Sequence, residues 1–228
     1  MRNRLNGAVA LCALAGLSAV GRAGSIPGVI ISEVHPTGSS NGTYNADFFE
    51  LTNTGSSDVS ISGWKMDDNS FSFANSVALR GITSIPAGAS VVFVEGDATG
   101  SNDAAVQAAF INAWFGGSAP AGFLIGGYGG TGVGLSATAD GVAIFDSGGA
   151  VVTGVSFGAS TNHVTFDNAS GIGGTGAPFP AISTLSVAGV NGAFVSGTGE
   201  TGSPGVVPAP GALALLGVGL MAARRRRA

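Results

Sequence analysis

Short apolar runs alternate with polar turn clusters from Val29 to Trp64. The runs cover residues 29–34, 48–51 and 59–64, and they are rich in Val, Ile and Phe. The segments between them consist mainly of Gly, Ser, Asn and Asp. This pattern predicts consecutive β-strands joined by turns. We therefore expect an all-β domain whose first sheet begins in this stretch.

The third run and two later runs carry more detail. In the third, Val59 and Ile61 should face one layer, and Trp64, the largest apolar side chain there, should fill the core. Residues 90–95 form an unbroken apolar run, which predicts a central strand buried on both faces. Residues 141–146 and 151–157 predict a hairpin.

The pattern changes to a helical period between residues 97 and 139. Val106, Phe110 and Trp114 recur every four residues and predict one apolar stripe on a helix over residues 104–115. Asp103 precedes this helix and is expected to cap it. We interpret residues 97–139 as an insertion whose helix closes one mouth of a β-sandwich.

A glycine-rich stretch with large apolar side chains follows the helical pattern. Its large side chains are Phe115, Phe123, Leu124, Ile125 and Tyr128. We expect this stretch to be a loop packed beneath the helix. The alternative is a sugar-binding surface, because aromatic side chains beside flexible glycines can stack on a ligand.

Several short motifs follow one another in the order and spacing of a known domain. They are Ser32-Glu33-Val34, Phe49-Glu50-Leu51-x-Asn53-x-Gly55, Ile61-Ser62-Gly63-Trp64 and Pro86-Ala87-Gly88. The ordered set resembles the lamin-tail domain, an immunoglobulin-like β-sandwich of nuclear lamins and many secreted bacterial proteins. Residues 140–146, 155–158 and 202–205 are similar to its closing strands. The resemblance implies a sandwich over residues 26–206 and structural roles for the motif residues Glu33, Glu50, Asn53, Gly63 and Trp64.

Charge separates the ends of the chain from its middle. Of the 9 basic residues only Lys65 and Arg80 lie between residues 23 and 223, whereas all 13 acidic residues lie there, so this part carries 2 − 13 = −11. A body this acidic repels phosphate backbones, which argues against nucleic acid as a partner. The acidity itself suits a soluble exported protein.

The N-terminal residues have the pattern of a secretory signal peptide. Arg2 and Arg4 precede an apolar run over residues 5–20 and a small-residue stretch. We expect residues 1–23 to be removed by cleavage after Ala23 or Gly21. Cys12, the only cysteine, lies inside the apolar run, so the mature protein should contain no disulfide.

The C-terminal residues show three successive features. Val207, Pro208, Ala209 and Pro210 precede an apolar run over residues 211–223, and Arg224, Arg225, Arg226 and Arg227 follow. This order resembles the PEP-CTERM sorting signal of bacteria that make extracellular polysaccharide, with Ala209 in place of the family's Glu. The resemblance implies that residues 207–228 are a sorting tail, which is inserted briefly in the inner membrane and cut near Pro210 by an exosortase-type enzyme. The alternative is a permanent C-terminal anchor.

Candidate chemistry in the body is sparse. Glu50 and Asn53 are expected to fix a turn through backbone N–H groups, and His35 to be a solvated turn residue. Asp67, Asp68 and Asn69 place three oxygen-bearing side chains in a row. They predict a turn or, alternatively, part of a Ca²⁺ site.

One motif matches a hydrolase signature. Residues 154–158, Gly-Val-Ser-Phe-Gly, have the spacing of a nucleophile elbow, and His163 follows closely. No helical period follows, so Ser156 is expected to be an outward residue of a strand. Two glycine triplets with dinucleotide-type spacing are attributed to chance in a chain with 40 glycines.

Together these observations predict one immunoglobulin-like sandwich with a short helical insertion, between an N-terminal signal helix and a short hydrophobic C-terminal helix. We expect an exported, non-catalytic protein of the cell surface or extracellular matrix that serves as a structural, adhesive or protein-interaction module. Expected partners are the exosortase-type enzyme and extracellular polysaccharide or surface proteins, and no cofactor is expected. The alternatives are a Ca²⁺-dependent carbohydrate-binding module and a secreted hydrolase using Ser156 and His163.

Overall fold

The computed structural model of the chain describes residues 28–36 and 44–207. These residues form strands and one helix, with the following bounds: β1 (Val29–His35), β2 (Phe48–Asn53), β3 (Val59–Ser60), β4 (Lys65–Asp67), β5 (Val77–Ala78), β6 (Ser84–Ile85), β7 (Ser90–Glu95), α1 (Asp103–Phe115), β8 (Leu124–Tyr128), β9 (Asp140–Phe145), β10 (Val151–Phe157), β11 (Phe166–Asp167), β12 (Ala181–Ile182), β13 (Phe194–Val195) and β14 (Thr201–Gly202).

Two five-stranded sheets pack face to face. The first has the order β11-β1-β2-β7-β8 and the second the order β12-β10-β9-β4-β5, while β3-β6 and β13-β14 form separate two-stranded sheets. The core between the sheets receives Phe49, Leu51 and Phe93 from the first sheet. Val142 and Val155 enter it from the second. The predicted β-sandwich and the predicted hairpin, β9-β10, are confirmed.

The predicted strand over residues 59–64 is wrong at its second half. Strand β3 ends at Ser60, and the Trp64 amide then donates to the Ile61 carbonyl across a turn. Gly63 makes this turn with a φ of 75°, a region that glycine adopts without strain. Trp64 and Ile61 still reach the core, as predicted.

The insertion forms a β-α-β unit. Strand β8 runs parallel to β7, and helix α1 connects them. The helix does not close a mouth of the sandwich, because Phe110 and Trp114 pack on Phe48, Val92 and Val94, which point away from the core. The helix therefore covers part of the outer face of the first sheet, and β7 is buried on both faces as predicted.

Two local predictions in the insertion are corrected. The glycine-rich stretch contains strand β8, so Leu124, Ile125 and Tyr128 belong to the sheet. Asp103 makes no side-chain cap, because its carboxylate accepts two hydrogen bonds from the Arg80 guanidinium at 2.7 and 2.8 Å. The side chains of Phe115 and Phe123 pack against the helix cluster, in agreement with the packing interpretation.

Another part of the outer face, around Glu33, Glu50 and Ser90, is covered by the C-terminal strap, which we define as residues 200–206. Only β14, Thr201–Gly202, is a strand in it, and this strand pairs with β13 and not with either large sheet. The resemblance had assigned residues 202–205 to a closing strand of the sandwich, and the structure corrects this assignment. No helix in the described part of the chain is long and apolar enough to span a membrane.

Candidate functional site: buried carboxylates and histidines under the strap

Glu33 and Glu50 lie directly opposite each other on β1 and β2. A β-bulge between Ile31 and Glu33 brings them together. Ile31 and Val34 point into the core, so the extra residue allows Ser32 and Glu33 to face outward in succession. Glu50 faces outward because it alternates with Phe49 and Leu51. The result is a pair of carboxyl groups on the outer face, both under the strap.

The two carboxyl groups hold the strap through its backbone. Oε1 of Glu33 accepts hydrogen bonds from the Ser203 amide and the Thr165 hydroxyl, each at 2.6 Å. Oε2 of Glu50 accepts a hydrogen bond from the Gly205 amide, and its Oε1 accepts one from the Ser32 hydroxyl at 2.7 Å. Strap and sheet are thus joined by charged or chargeable acceptors.

Burial makes this pair unusual in its titration. Glu33 is 0% exposed and Glu50 is 1% exposed. Desolvation raises the pKa of Glu33 to about 7, with a further increase from Asp167. Desolvation, followed by the charge of Glu33, raises the pKa of Glu50 to about 8. In the described part of the chain neither carboxylate forms an ion pair with Lys or Arg.

The chain's two histidines both lie next to Glu200, the first residue of the strap. Nδ1 of His163 lies 3.1 Å from Oε1 of Glu200, and Nε2 of His35 lies 3.7 Å from Oε2 of the same carboxylate. His163 is 43% exposed and has a φ of 61°, which is uncommon for a residue other than glycine. His35 is fully buried, so its prediction as a solvated turn residue is wrong.

The buried side of this cluster continues to helix α1. Trp114 Nε1 donates to the Tyr44 hydroxyl at 3.2 Å, and this hydroxyl lies 3.0 Å from Nδ1 of His35. Burial lowers the pKa of His35 to about 3, with a further decrease from His163, so its ring is neutral. A neutral ring that accepts from Tyr44 at Nδ1 carries its proton on Nε2, on the side of Glu200.

Burial also raises the pKa of the Glu200 carboxyl, and its hydrogen bond and charge interaction with His163 partly offset this increase. The strap and the face that it covers therefore contain three acidic groups, Glu33, Glu50 and Glu200, and the imidazoles of His35 and His163. Of these groups, the Glu33–Glu50 pair can take up or release protons near neutral pH. The hydroxyl groups beside these residues, on Ser32, Tyr44 and Thr165, are held in buried hydrogen bonds, and the whole arrangement lies in contacts that fix the position of the strap.

The predicted motif residues have structural roles. Asn53 accepts from the Gly55 amide and donates to the Ser57 and Ile85 carbonyls, which confirms its role in a turn. Trp64 is a core residue, and Gly63 lies in the turn before it. Glu50 also binds a backbone N–H, but that of the distant Gly205 and not of a local turn.

Asp67 ends strand β4, and Asp68 and Asn69 lie in the turn that follows it. The Asp67 carboxylate accepts from the Ser70 hydroxyl and the Ser72 amide, each at 2.6 Å. Asp68 accepts from the Ser70 amide. The backbone amide of Asn69 donates to the carboxylate of Asp140. Residues 28–36 and 44–207 contain no group of three or more His, Cys, Asp or Glu side chains arranged to hold a metal ion.

Ser156 lies inside strand β10, with Gly141 and Ala181 as its partners on the neighbouring strands. Its hydroxyl donates to the Phe179 carbonyl at 3.1 Å. A nucleophile elbow requires a sharp strand-to-helix turn, and none exists at this position. The first glycine of the motif, Gly154, leaves room for the Phe179 ring, because a Cβ there would lie 2.7 Å from this ring.

The remaining predicted sites fall outside the described residues. These are Ala23, Pro208, Ala209, Pro210 and Arg224–Arg227, whereas Val207 is the last described residue. The strap network was missed by sequence reasoning for a different reason. Its acidic and hydroxyl residues are scattered from Ser32 to Ser203, and only the motif residues Glu33 and Glu50 and the chain's two histidines gave a signal that could have been followed.

A comparison with protein families matches the N-terminal part of the chain, which contains most of both large sheets. Residues 22–159, more than half of the chain, match the lamin tail domain family. The match ends before the segment that carries His163, Glu200 and the strap. A comparison with curated proteins found no match. The matched region contains β1 to β10, the strands that build most of both sheets. The chain belongs to the lamin tail domain family.

Proposed function

We propose that the protein is an exported, non-catalytic component of the cell surface or extracellular matrix, with the sandwich as a structural, adhesive or protein-interaction module. The observation that carries this proposal is the position of the strap. The strap is fixed on the body by Glu33 and Glu50, and Val207 follows it directly. The sorting pattern over residues 207–227 therefore begins directly after the strap.

The order of features supports sorting by an exosortase-type enzyme. An apolar run of 13 residues, 211–223, rises about 20 Å as a helix, against a hydrocarbon core of about 30 Å. Such a segment suits brief insertion in the inner membrane better than a permanent span. The four arginines that follow would hold the tail on the cytoplasmic side until it is cut.

The contacts of the polar side chains support a non-catalytic role. Ser156 donates to a backbone carbonyl, His163 is bound to Glu200, and Asp67 is engaged by a turn. The family match supports the same conclusion, since the lamin tail domain is an immunoglobulin-like, non-catalytic fold. Fold alone does not specify a ligand. We infer extracellular polysaccharide or surface proteins as partners from the sorting pattern.

Intact mass measurement in the native host tests the proposal. The protein is isolated separately from the membrane and extracellular fractions, together with a variant in which Arg224–Arg227 are replaced by Ser. We expect an extracellular species that begins near Gly24 and ends near Pro210, and retention of the variant in the cell. An extracellular species that still carries Arg224–Arg227, or a protein found only in the membrane with an intact tail, would contradict the proposal.

A further inference from the structure

The two halves of the strap are attached in different ways. In the first half, the Thr201 amide donates to the His163 carbonyl, and the Thr165 amide donates to the Thr201 carbonyl. These are main-chain bonds of the kind that hold a sheet together. In the second half, the Ser203 and Gly205 amides donate to the side chains of Glu33 and Glu50. Pro204, between them, has no amide hydrogen to donate.

The attachment of the second half therefore depends on two groups that share one environment. Both carboxyl groups are buried and lie opposite each other, and the groups around them add little positive charge. Asp167 lies on the strand paired with β1, and Glu200 begins the strap itself. The two histidines at the start of the strap are His35, which is neutral, and His163, which is bound to Glu200. If both Glu33 and Glu50 are ionised here, the two buried negative charges are stabilised only when water reaches them, because burial of an unpaired charge is costly.

We propose that residues 203–206 are a proton-controlled latch, closed while the Glu33–Glu50 pair holds a proton and released when both carboxyl groups are ionised. With one proton present, the pair carries a single negative charge and both strap amides keep their acceptors. With none, the two charges repel across β1 and β2, and solvation of the pair requires water where the strap lies. Residues 203–206 are the segment most easily displaced, because they are not part of either large sheet.

The latch acts on the chain next to the body, whatever happens to the residues after Val207. Opening would expose the carboxyl pair and Ser90, whose hydroxyl lies 3.4 Å from the Val206 carbonyl. It would leave β14 in place, because β14 is held by β13 and by backbone bonds to residues 163 and 165. The inference is therefore independent of the sorting proposal, and each can fail without the other.

Amide hydrogen exchange of the full chain tests the latch. Protection factors, corrected for the intrinsic effect of pH, are measured at about pH 6.5 and about pH 8.5, across the titration range of the raised carboxyl groups. We expect the protection of the Ser203 and Gly205 amides to fall at least tenfold between these values. The amides of β2 and β7 that pair within the sheet should keep their protection.

Substitutions separate the latch from general loosening. Glu50→Gln places a neutral group of the same shape opposite Glu33, so we expect protected strap amides at both pH values. Glu95→Gln is the matched control. Glu95 ends β7 in the same sheet, and burial raises the pKa of its carboxyl as well, but it makes no bond to the strap. This variant should keep the wild-type pH dependence.

Three results would overturn the proposal. They are equal strap protection at both pH values in the wild type, an unchanged pH dependence in Glu50→Gln, and loss of strap protection at both pH values in that variant. The third result would mean that the strap needs the negative charge and not the proton. Glu33→Gln is measured in parallel, so that a folding defect in one variant does not decide the outcome.

Discussion

The outer face of the first sheet has two kinds of cover, one apolar and one polar. Strand β2 meets both. At one end Phe48 lies under helix α1 with Phe110 and Trp114, their rings in edge contact. Two residues further on, Glu50 lies under the strap and binds its backbone. The same strand and the same face thus carry a hydrophobic contact and a hydrogen-bonded carboxylate.

The two covers differ in whether their contacts need a particular hydrogen-bond geometry and in whether those contacts change with pH. Apolar burial depends on area and shape and does not change with protonation. The strap depends on a few hydrogen bonds to groups whose charge changes near neutral pH. We call the part of this face under helix α1 the helix half and the part under the strap the strap half. We expect the helix half to determine how stable the sheet is, and the strap half to determine how that stability responds to pH.

The largest expected effect comes from the helix half. Phe110 is fully buried and contacts Tyr44, Phe48 and Trp114. Phe110→Ala should lower the free energy of unfolding by about 3–5 kcal/mol, because it removes a buried ring and leaves a cavity. Urea unfolding measures this loss. It should be the same at about pH 6.5 and about pH 8.5, and a loss that changes strongly with pH would show that the two halves are not separable.

The next effect is the pH dependence of the wild type. The pKa values of Glu33 and Glu50 are raised to about 7 and about 8, so the folded state keeps protons that the unfolded state has released above about pH 4.5. Stability is therefore lost as pH rises. Between pH 6.5 and 8 we expect the free energy of unfolding to fall by on the order of 2 kcal/mol.

Below pH 6.5 His35 acts in the opposite direction. Its folded pKa is lowered to about 3, so the unfolded state binds a proton first and stability falls as pH decreases. Above pH 6.5 the carboxyl pair titrates, and the raised pKa values of Glu95 and Glu200 act in the same direction. The double variant with Gln at positions 33 and 50 should flatten the curve in this range, as measured by urea unfolding. A wild-type stability that rises from pH 6.5 to 8 would contradict the burial argument.

The contact between the two covers gives a smaller effect. Gly205 has a φ of 80°, and a Cβ there would lie 2.5 Å from the Phe123 ring, which packs against Phe110. Gly205→Ala should cost about 1–2 kcal/mol through backbone strain and displacement of this ring. Gly199→Ala is the matched control. Gly199 also has a positive φ, 92°, but no atom lies within 4 Å of its added Cβ.

Thermal or urea unfolding of the two variants separates strain from contact. Both lose stability through the left-handed backbone, which costs about 1 kcal/mol for a residue with a Cβ. Only Gly205→Ala also disturbs Phe123. Equal losses would mean that the strap and the helix do not restrain each other through this ring.

The elements that sequence predicted well have a strong local pattern. Strands β2 and β7 were evident as short apolar runs between turn residues, and the stripe of Phe110 and Trp114 was evident from its helical period. Strand β8 was missed, since its centre is Gly126-Gly127. Glycine is required there because a Cβ at Gly126 would lie 2.5 Å from the Arg80 carbonyl. Glycine thus gave a loop signal for a strand.

The site could be predicted only in part, since it depends on contacts between distant residues. Glu33 and Glu50 were identified as motif residues, but their partners Ser203 and Gly205 are far away in sequence. His35 was predicted to be a solvated turn residue because it stands at the start of a polar loop with no second histidine near it in sequence. The segment that buries it, with Glu200 and His163, has little regular pattern. A sequence pattern reports a local environment, and this one is created by tertiary contact.

The smallest predicted effect tests the polar link between the two covers. The Thr198 hydroxyl, just before the strap, donates to the Ala113 carbonyl near the end of helix α1 at 3.2 Å. Thr198→Val removes the donor with nearly the same shape. Because Thr198 is exposed, water can replace the hydroxyl at this carbonyl, so urea unfolding should show a loss of no more than about 1 kcal/mol. A loss as large as that of Gly205→Ala would mean that the strap and the helix are joined by this bond, and the apolar contact at Phe123 would then be secondary.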